Sequence, residues 1–172
     1  MTSSCESGPS AWVQSHAGLV KPGGTLLDLA AGGGRHTRYF KGLGYRITAL
    51  DRDVSRLQDL GAEVIAANLE DGSPWPLGAR AFDGIVVTNY LHRALFPHLA
   101  GALAPGGVLI YETFGIGNER FGKPSNPNFL LRPGELLEFA AAHGLQVLAY
   151  ACGEVAEPKR AIVQQMVARR LN

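Results

Sequence analysis

The sequence predicts an α/β fold: a single doubly wound, mostly parallel, seven-stranded sheet with one antiparallel strand near the C-terminus. Three observations predict it. Short, almost continuous apolar runs alternate with helix-like stretches, the pattern of parallel strands buried on both faces. Glycine makes up 22 of the 172 residues, well above the usual ~7%, and punctuates the ends of these segments. Near the C-terminus two strand-like runs follow each other with little room for a helix between them, which breaks the alternation. At 172 residues and 46% apolar content the chain suits one domain with a sizeable core.

The elements follow in order. TLLDLA (25–30) reads as a buried strand ending where glycines begin, and RHTRYFKGLG as a helix stopped at Gly42 or Gly44. YRITALD (45–51) is the second strand. DVSRLQDLG reads as a helix, with Asp53 as its cap, Val54, Leu57 and Leu60 on one face and Gly61 past its end. AEVIAAN (62–68) and FDGIVVTN (82–89) are the third and fourth strands. PHLAGALAPGG is a short helix with Pro97 in its first turn. VLIYETF (108–114) is the fifth strand, PGELLEFAAAHG (133–144) an amphipathic helix closed by Gly144, and LQVLAYAC and AIVQQMVARR the last two strands. Residues 1–10 read as a flexible tail before a domain spanning 11–172. The segment 115–132, GIGNERFGKPSNPNFLLR, reads as a long structureless connection, and loops of that length are usually functional or disordered.

A formal net charge of +1 predicts no nucleic-acid stripe and no polybasic membrane anchor. The opening MTSSCESGPS lacks the build of a signal peptide, and no apolar run approaches membrane-spanning length. Cys5 and Cys152 show no zinc spacing, which reads as two reduced thiols in a cytoplasmic protein without a metal. Oligomeric state leaves no trace in the sequence.

In open sheets of this kind ligands bind beyond the carboxyl ends of the strands. Those ends carry Asp28 to Gly34, Asp51, Asn68, Thr88 to Arg93, and Glu112 to Gly117. The first of them, DLAAGGGRHT, is short of side chains, so something approaches bare backbone. A dinucleotide fingerprint needs GxGxxG; Gly32 and Gly34 supply its first half, but Thr37 stands in the third position. A Walker loop is absent. Asp51 ends the next strand at the interval that suits ribose hydroxyls, since a carboxylate accepts two O–H bonds at once. Asp28 breaks the tie: a carboxylate is repelled by a pyrophosphate and favoured beside a cation. S-adenosylmethionine carries an ammonium and a sulfonium and no phosphate.

With these residues the sequence resembles the class I S-adenosylmethionine-dependent methyltransferases over nearly its whole length, which implies a Rossmann-like sheet and that cofactor. DLAAGGG is similar to the family's D-x-G-x-G-x-G loop, with Ala30 in place of the first glycine. ALDRD matches the second-strand acid, here Asp51, followed by Arg52. ANLEDGSPWPLGARAFDGIVV is similar to the adenine-flanking turn, with Asn68 where aspartate is commoner and Leu69 beside it; LAPGG before VLIYE is also typical. Within the superfamily the short length, the NFLLRPGELLEF helix entry and the basic AEPKR…MVARR tail resemble the tellurite-resistance methyltransferase group. The resemblance implies a cofactor set of Asp28, Ala30, Gly32, Gly34, Arg35, His36, Asp51, Arg52, Asn68, Leu69 and Asn89.

Methyl transfer from a sulfonium needs alignment and exclusion of water, and a base only when the acceptor arrives protonated. Oxyanions such as tellurite and thiolates need little help; an alcohol or phenol needs a base. Asn89 and Tyr90 directly follow the fourth strand and should face the methyl group. His92 reads as a base or as a capping residue, and Glu112 as a base or as the acceptor of a loop amide. Arg35 or His36, opening the first helix, reads as a contact for the methionine carboxylate or as a solvated helix end. Arg120, Lys123 and Arg132 amid Phe121 and Phe129 make 115–132 a lid over a small-molecule acceptor, or a surface loop anchored by its aromatics. The resemblance to the tellurite group adds Arg160, in the turn between the last strands. The competing readings are a nicotinamide-dependent oxidoreductase, disfavoured by Asp28 and the missing glycine, and a non-catalytic cofactor-binding relative.

Overall fold

The computed structural model describes residues 8–172. In chain order its elements are α1 (Ala11–His16), β1 (Thr25–Leu29), α2 (Arg35–Gly42), β2 (Arg46–Asp51), β3 (Glu63–Ala66), β4 (Phe82–Thr88), α3 (Phe96–Gly101), β5 (Leu103–Phe114), α4 (Glu135–Ala142), β6 (Leu145–Val155) and β7 (Ala161–Arg170). The seven strands form one sheet in the order β3-β2-β1-β4-β5-β7-β6. All pairings are parallel except those of β7, which runs antiparallel to both β5 and β6. The order reverses between β1 and β4, so the carboxyl ends of β1, β2, β4 and β5 open onto one crevice.

Alternating residues of the central strands feed two cores, as the two-residue period of a strand requires. Leu27, Leu29, Ile85, Val87, Leu109 and Tyr111 pack with Leu99 of α3 and Leu136 and Phe139 of α4. Leu26, Val86, Val108 and Ile110 pack on the opposite face with Val13 of α1 and Phe40 of α2. Burial on both faces is why these strands read as unbroken apolar runs.

The structure departs from the sequence reading in four places, the first at 103–107, which opens β5 instead of continuing the helix before it. No helix forms over 53–60; the segment is a run of turns. Asp53 accepts from the Ser55 amide at 3.0 Å instead of capping a helix, while its own amide donates to Asp51 Oδ1 at 3.0 Å. So short a segment has little helical stability of its own, and its buried Leu57 packs onto Ala31 and Ala49 without one. Of the tail expected over 1–10, residues 1–7, with Cys5, lie outside the described residues, whereas Ser10 is buried and caps α1, a helix absent from the sequence reading. The 115–132 connection is structured. It holds 3-10 turns at Asn118–Arg120 and Pro127–Phe129, and a bridge pairs Gly115 with Leu131. Buried Asn118 ties it down, accepting from the Ile162 amide of β7 at 3.1 Å and donating to the Pro124 carbonyl at 3.0 Å. Among the described residues no helix is long and apolar enough to cross a membrane.

Candidate active site

The loop between β1 and α2 is built from residues in left-handed backbone: φ is 55° at Ala30, 55° at Gly32 and 79° at Gly34. A Cβ on Gly32 would meet nothing within 4 Å, so its backbone faces open space. A Cβ on Gly34 would stand 2.5 Å from Leu60 Cδ1, so that glycine serves close packing against the 53–60 turns. Ala30 differs from glycine by more than size, because an L-residue at this φ costs about 1 kcal/mol. The loop is tied to the end of β2 by two successive amides: that of Ala31 donates to the Leu50 carbonyl at 3.0 Å and that of Gly32 to Asp51 Oδ2 at 2.8 Å.

Asp28 lies beneath this loop rather than in it. It is buried, and Oδ2 accepts from Thr37 Oγ1 at 2.6 Å. The third-glycine position of a dinucleotide loop is therefore occupied by the partner of Asp28. Burial pushes the Asp28 carboxyl up to about 6, against the pull of the Thr37 bonds and the Arg35 charge and with a smaller push from Asp51. A folded value above the unfolded 3.8 means that this group's favourable contribution is fully present below pH 3.8 and is lost as pH rises through about 6. Asp28→Asn is accordingly expected to stabilise the fold by about 1–3 kcal/mol near pH 8, with the gain vanishing below about pH 4. Denaturant melts across that range measure it, and equal gains at both ends would contradict it.

Beyond the loop, the carboxyl ends of β1 to β4 enclose a crevice of about 580 Å³, lined by Ala30, Asp51, Arg52, Asn68, Leu69, Asn89 and Tyr90 among others. Leu50, Ala67, Leu69 and Leu91 give it an apolar wall. Asn68 is fixed by an Asx turn, its Oδ1 accepting from the Glu70 amide at 3.0 Å. Burial, with the Glu70 and Asp51 charges, pushes the Tyr90 phenol up to about 12, against Arg52. Tyr90 is thus a neutral ring and hydroxyl donor, not a base. The crevice suits a nucleoside without phosphates: a carboxylate at Asp51, apolar walls, and Arg52 as the cation among its described lining residues.

A second chamber of about 530 Å³ adjoins the first, with Asn89 and Phe114 in the walls of both. Its walls come from Gly8 to Trp12, the end of β5, the 115–132 segment and the β6–β7 turn. Glu112 is held here on both oxygens: Oε1 accepts from Ser10 Oγ at 2.8 Å and Oε2 from Gln165 Nε2. Asn89, in left-handed backbone with φ 54°, donates its amide to the Glu112 carbonyl at 2.9 Å, which fixes the junction between the two cavities. Arg35 reaches this chamber and donates to the Gly8 carbonyl at 3.3 Å. Arg160 lines it too, paired with Glu154 and 4.8 Å from the centre of the Phe121 ring.

Two candidates stand elsewhere. His36 is buried; its Nε2 accepts from the Ser10 amide at 3.1 Å, and burial, then the Arg35 charge, lowers it to about 3. It is a neutral structural acceptor, and of the pair at the helix start Arg35 is the one that lines the second chamber. His92 lines neither main cavity but a cleft of about 140 Å³ beside the stacked rings of Trp75 and His98.

The sequence family described as a methyltransferase domain matches residues 27–111, the span from β1 through β5 that carries the glycine loop, Asp51 and Asn68. The chain belongs to the class I S-adenosylmethionine-dependent methyltransferases. It is 31% identical over 130 residues to a protein-L-isoaspartate O-methyltransferase of Chlorobaculum tepidum, covering 71% of this chain and 57% of that protein. In fold it is similar to TehB from Haemophilus influenzae, with a TM-score of 0.73 at 20% identity over 94% of this chain and 62% of that one. A methyltransferase from Methanosarcina mazei superposes with a TM-score of 0.72 at 14% identity, covering 96% of this chain and 99% of that one. The chain thus spans under two thirds of the length of the first two.

Several residues that hold the walls of these cavities in place escaped the sequence reading. Ser10 and Gln165, which hold Glu112, sit 102 and 53 residues from it, and neither belongs to a motif. Arg93 and Glu135 form an ion pair across 42 residues. The only sequence signal for Ser10 was its place before an amphipathic AWVQSH, an N-cap pattern.

Proposed function

We propose that the protein transfers a methyl group from S-adenosylmethionine, bound in the first crevice, to a small-molecule acceptor in the second chamber. The observation that carries this reading is the junction: two cavities of different character meet at Asn89 and Phe114, with Glu112 in the wall of the second. When bound, the cofactor supplies a methyl carbon that bonds the acceptor's lone pair as the carbon–sulfur pair stays on sulfur. Asp51 would hold the ribose hydroxyls, Asn68 and Leu69 the adenine, and the Gly32 backbone the bare face of the loop. Glu112 takes the proton from a protic acceptor, its carboxylate fixed by Ser10 and Gln165. The 115–132 segment walls both cavities, through Pro124 and Phe129 in the first and Phe121 and Lys123 in the second, and keeps water from the junction.

Glu112→Gln keeps the size of the side chain and removes the proton acceptor. Turnover of a hydroxyl acceptor is expected to fall about 10²-fold, with S-adenosylhomocysteine affinity unchanged. Methyl transfer from isotopically labelled cofactor, with calorimetry alongside, reads both. Unchanged turnover would remove Glu112 from the chemistry, and absence of transfer to any acceptor by the wild type would contradict the reading.

A further inference from the structure

In the second chamber Glu112 lies on β5, while Lys159, Arg160 and a second carboxylate, Glu157, lie on the β6–β7 turn. Glu112 stands at the junction with the cofactor crevice, beside Asn89. The cations Lys123 and Lys159 come from the 115–132 segment and the β6–β7 turn, with Arg160 next to Lys159 and Arg35 on the helix side. Four cationic side chains line the chamber against the carboxylates of Glu112 and Glu157. Arg160 is paired with Glu154, but Lys123 and Lys159 have no ion-pair partner among the described residues. Both are exposed, and Lys159 Nζ comes within 3.6 Å of where a Cβ on Gly122 would stand, so the turn bearing Lys159 meets the segment bearing Lys123. Trp12, Phe114 and Phe121 supply aromatic surface in the same chamber.

Size adds a constraint. An inorganic oxyanion displaces a few waters, on the order of 100 Å³. A chamber of about 530 Å³ with aromatic walls is in the range of organic ligands.

We propose that this chamber binds an aromatic hydroxy acid, its carboxylate against Lys123 and Lys159 and its methyl-accepting hydroxyl toward Glu112. This rests on the methyltransferase reading for the fate of the hydroxyl, but binding of the acid is separable from it. The excess of cations on the β6–β7 turn and the 115–132 segment, with Glu112 elsewhere in the wall, suits a ligand that carries both an anion and a proton donor, and the aromatic lining suits a flat body.

The test is calorimetric titration of the full chain with para-hydroxybenzoate, salicylate and para-coumarate, their uncharged amides, and sodium tellurite. S-adenosylhomocysteine is titrated separately, and the acids are also run in its presence. At least one acid is expected to bind at least tenfold more tightly than its amide, and Lys123→Ala with Lys159→Ala to erase that preference. Both lysines are exposed, so the fold survives their loss, and S-adenosylhomocysteine affinity should not change. Binding by none of the acids, equal binding of acids and amides, a preference untouched by the double substitution, or tellurite displacing a bound acid would each overturn the proposal. Failure of the acids with S-adenosylhomocysteine still bound sinks this inference alone. Acid binding with no affinity for S-adenosylhomocysteine leaves the chamber assignment standing and sinks the methyltransferase reading.

Discussion

Asp51→Ala is expected to weaken S-adenosylhomocysteine binding by about 10²–10³-fold while the protein remains folded. Two effects combine. A ribose diol loses a carboxylate that accepts both hydroxyls, and hydrogen bonds to charged groups contribute about 1.5–3 kcal/mol each. The same substitution frees the Gly32 and Asp53 amides, both of which Asp51 holds, so the glycine loop and the turns behind it lose their common anchor. Asp51→Asn separates the two, since an amide oxygen still accepts one bond; its loss should be intermediate. Calorimetry reads the affinities, and circular dichroism checks the fold. An Asp51→Ala protein that binds as the wild type does would show that the crevice holds its nucleoside elsewhere.

Arg93→Ala is expected to cost about 1–3 kcal/mol of stability, less than for a fully buried pair because the Arg93 side chain is 39% exposed and its charge partly screened. Arg93 donates to both oxygens of buried Glu135, and also to the Asn128 carbonyl at 2.9 Å and the Leu130 carbonyl at 2.9 Å. Burial opposes ionisation of Glu135, but Arg93 and the Arg132 amide outweigh it and hold the carboxyl below its ordinary range. Removing Arg93 strands that carboxylate and releases the C-terminal end of the 115–132 segment, whose Phe129 walls the cofactor crevice. Replacing both partners by apolar residues of similar volume should recover much of the loss, because it is the unpaired charge that costs. Denaturant melts measure the stability, and limited proteolysis within 115–132 reports the released segment. A loss below about 1 kcal/mol for Arg93→Ala would mean that Glu135 finds a substitute in Arg132, whose Nε stands 3.8 Å away.

What could be read from the sequence depended on how local the cause was. β1 and β4 were legible because burial on both faces leaves no polar interruption, and β7 because two strand patterns adjoin without a helix between them. Asp51 was legible because its interval from the glycine loop is fixed by the strand–helix–strand unit itself. The 53–60 segment misled because three apolar residues at helical spacing also suit a run of turns pressed onto Ala31 and Ala49. His36 and Arg35 are adjacent, and only the direction of α2 decides that one is buried against Ser10 while the other faces a chamber. His92 is two residues past Tyr90, but the chain turns there into the Arg93–Leu95 3-10 turn and carries the imidazole to a different cleft. Glu112 was legible as a strand-end acid; its clamp by Ser10 and Gln165 was not, because both contacts are made only by the folded sheet.

The nicotinamide alternative meets a physical obstacle in the loop. Thr37, standing in the third-glycine position, has its hydroxyl on Asp28, and the described crevice walls carry the carboxylates of Asp51 and Glu70 against the single cation Arg52. Calorimetric titration of the wild-type protein with S-adenosylhomocysteine and, separately, with NADH decides between the two cofactors. One saturable site for S-adenosylhomocysteine, with Kd on the order of micromolar, and no heat from NADH are expected of a methyltransferase crevice. Saturable binding of NADH, or no binding of S-adenosylhomocysteine, would contradict that expectation.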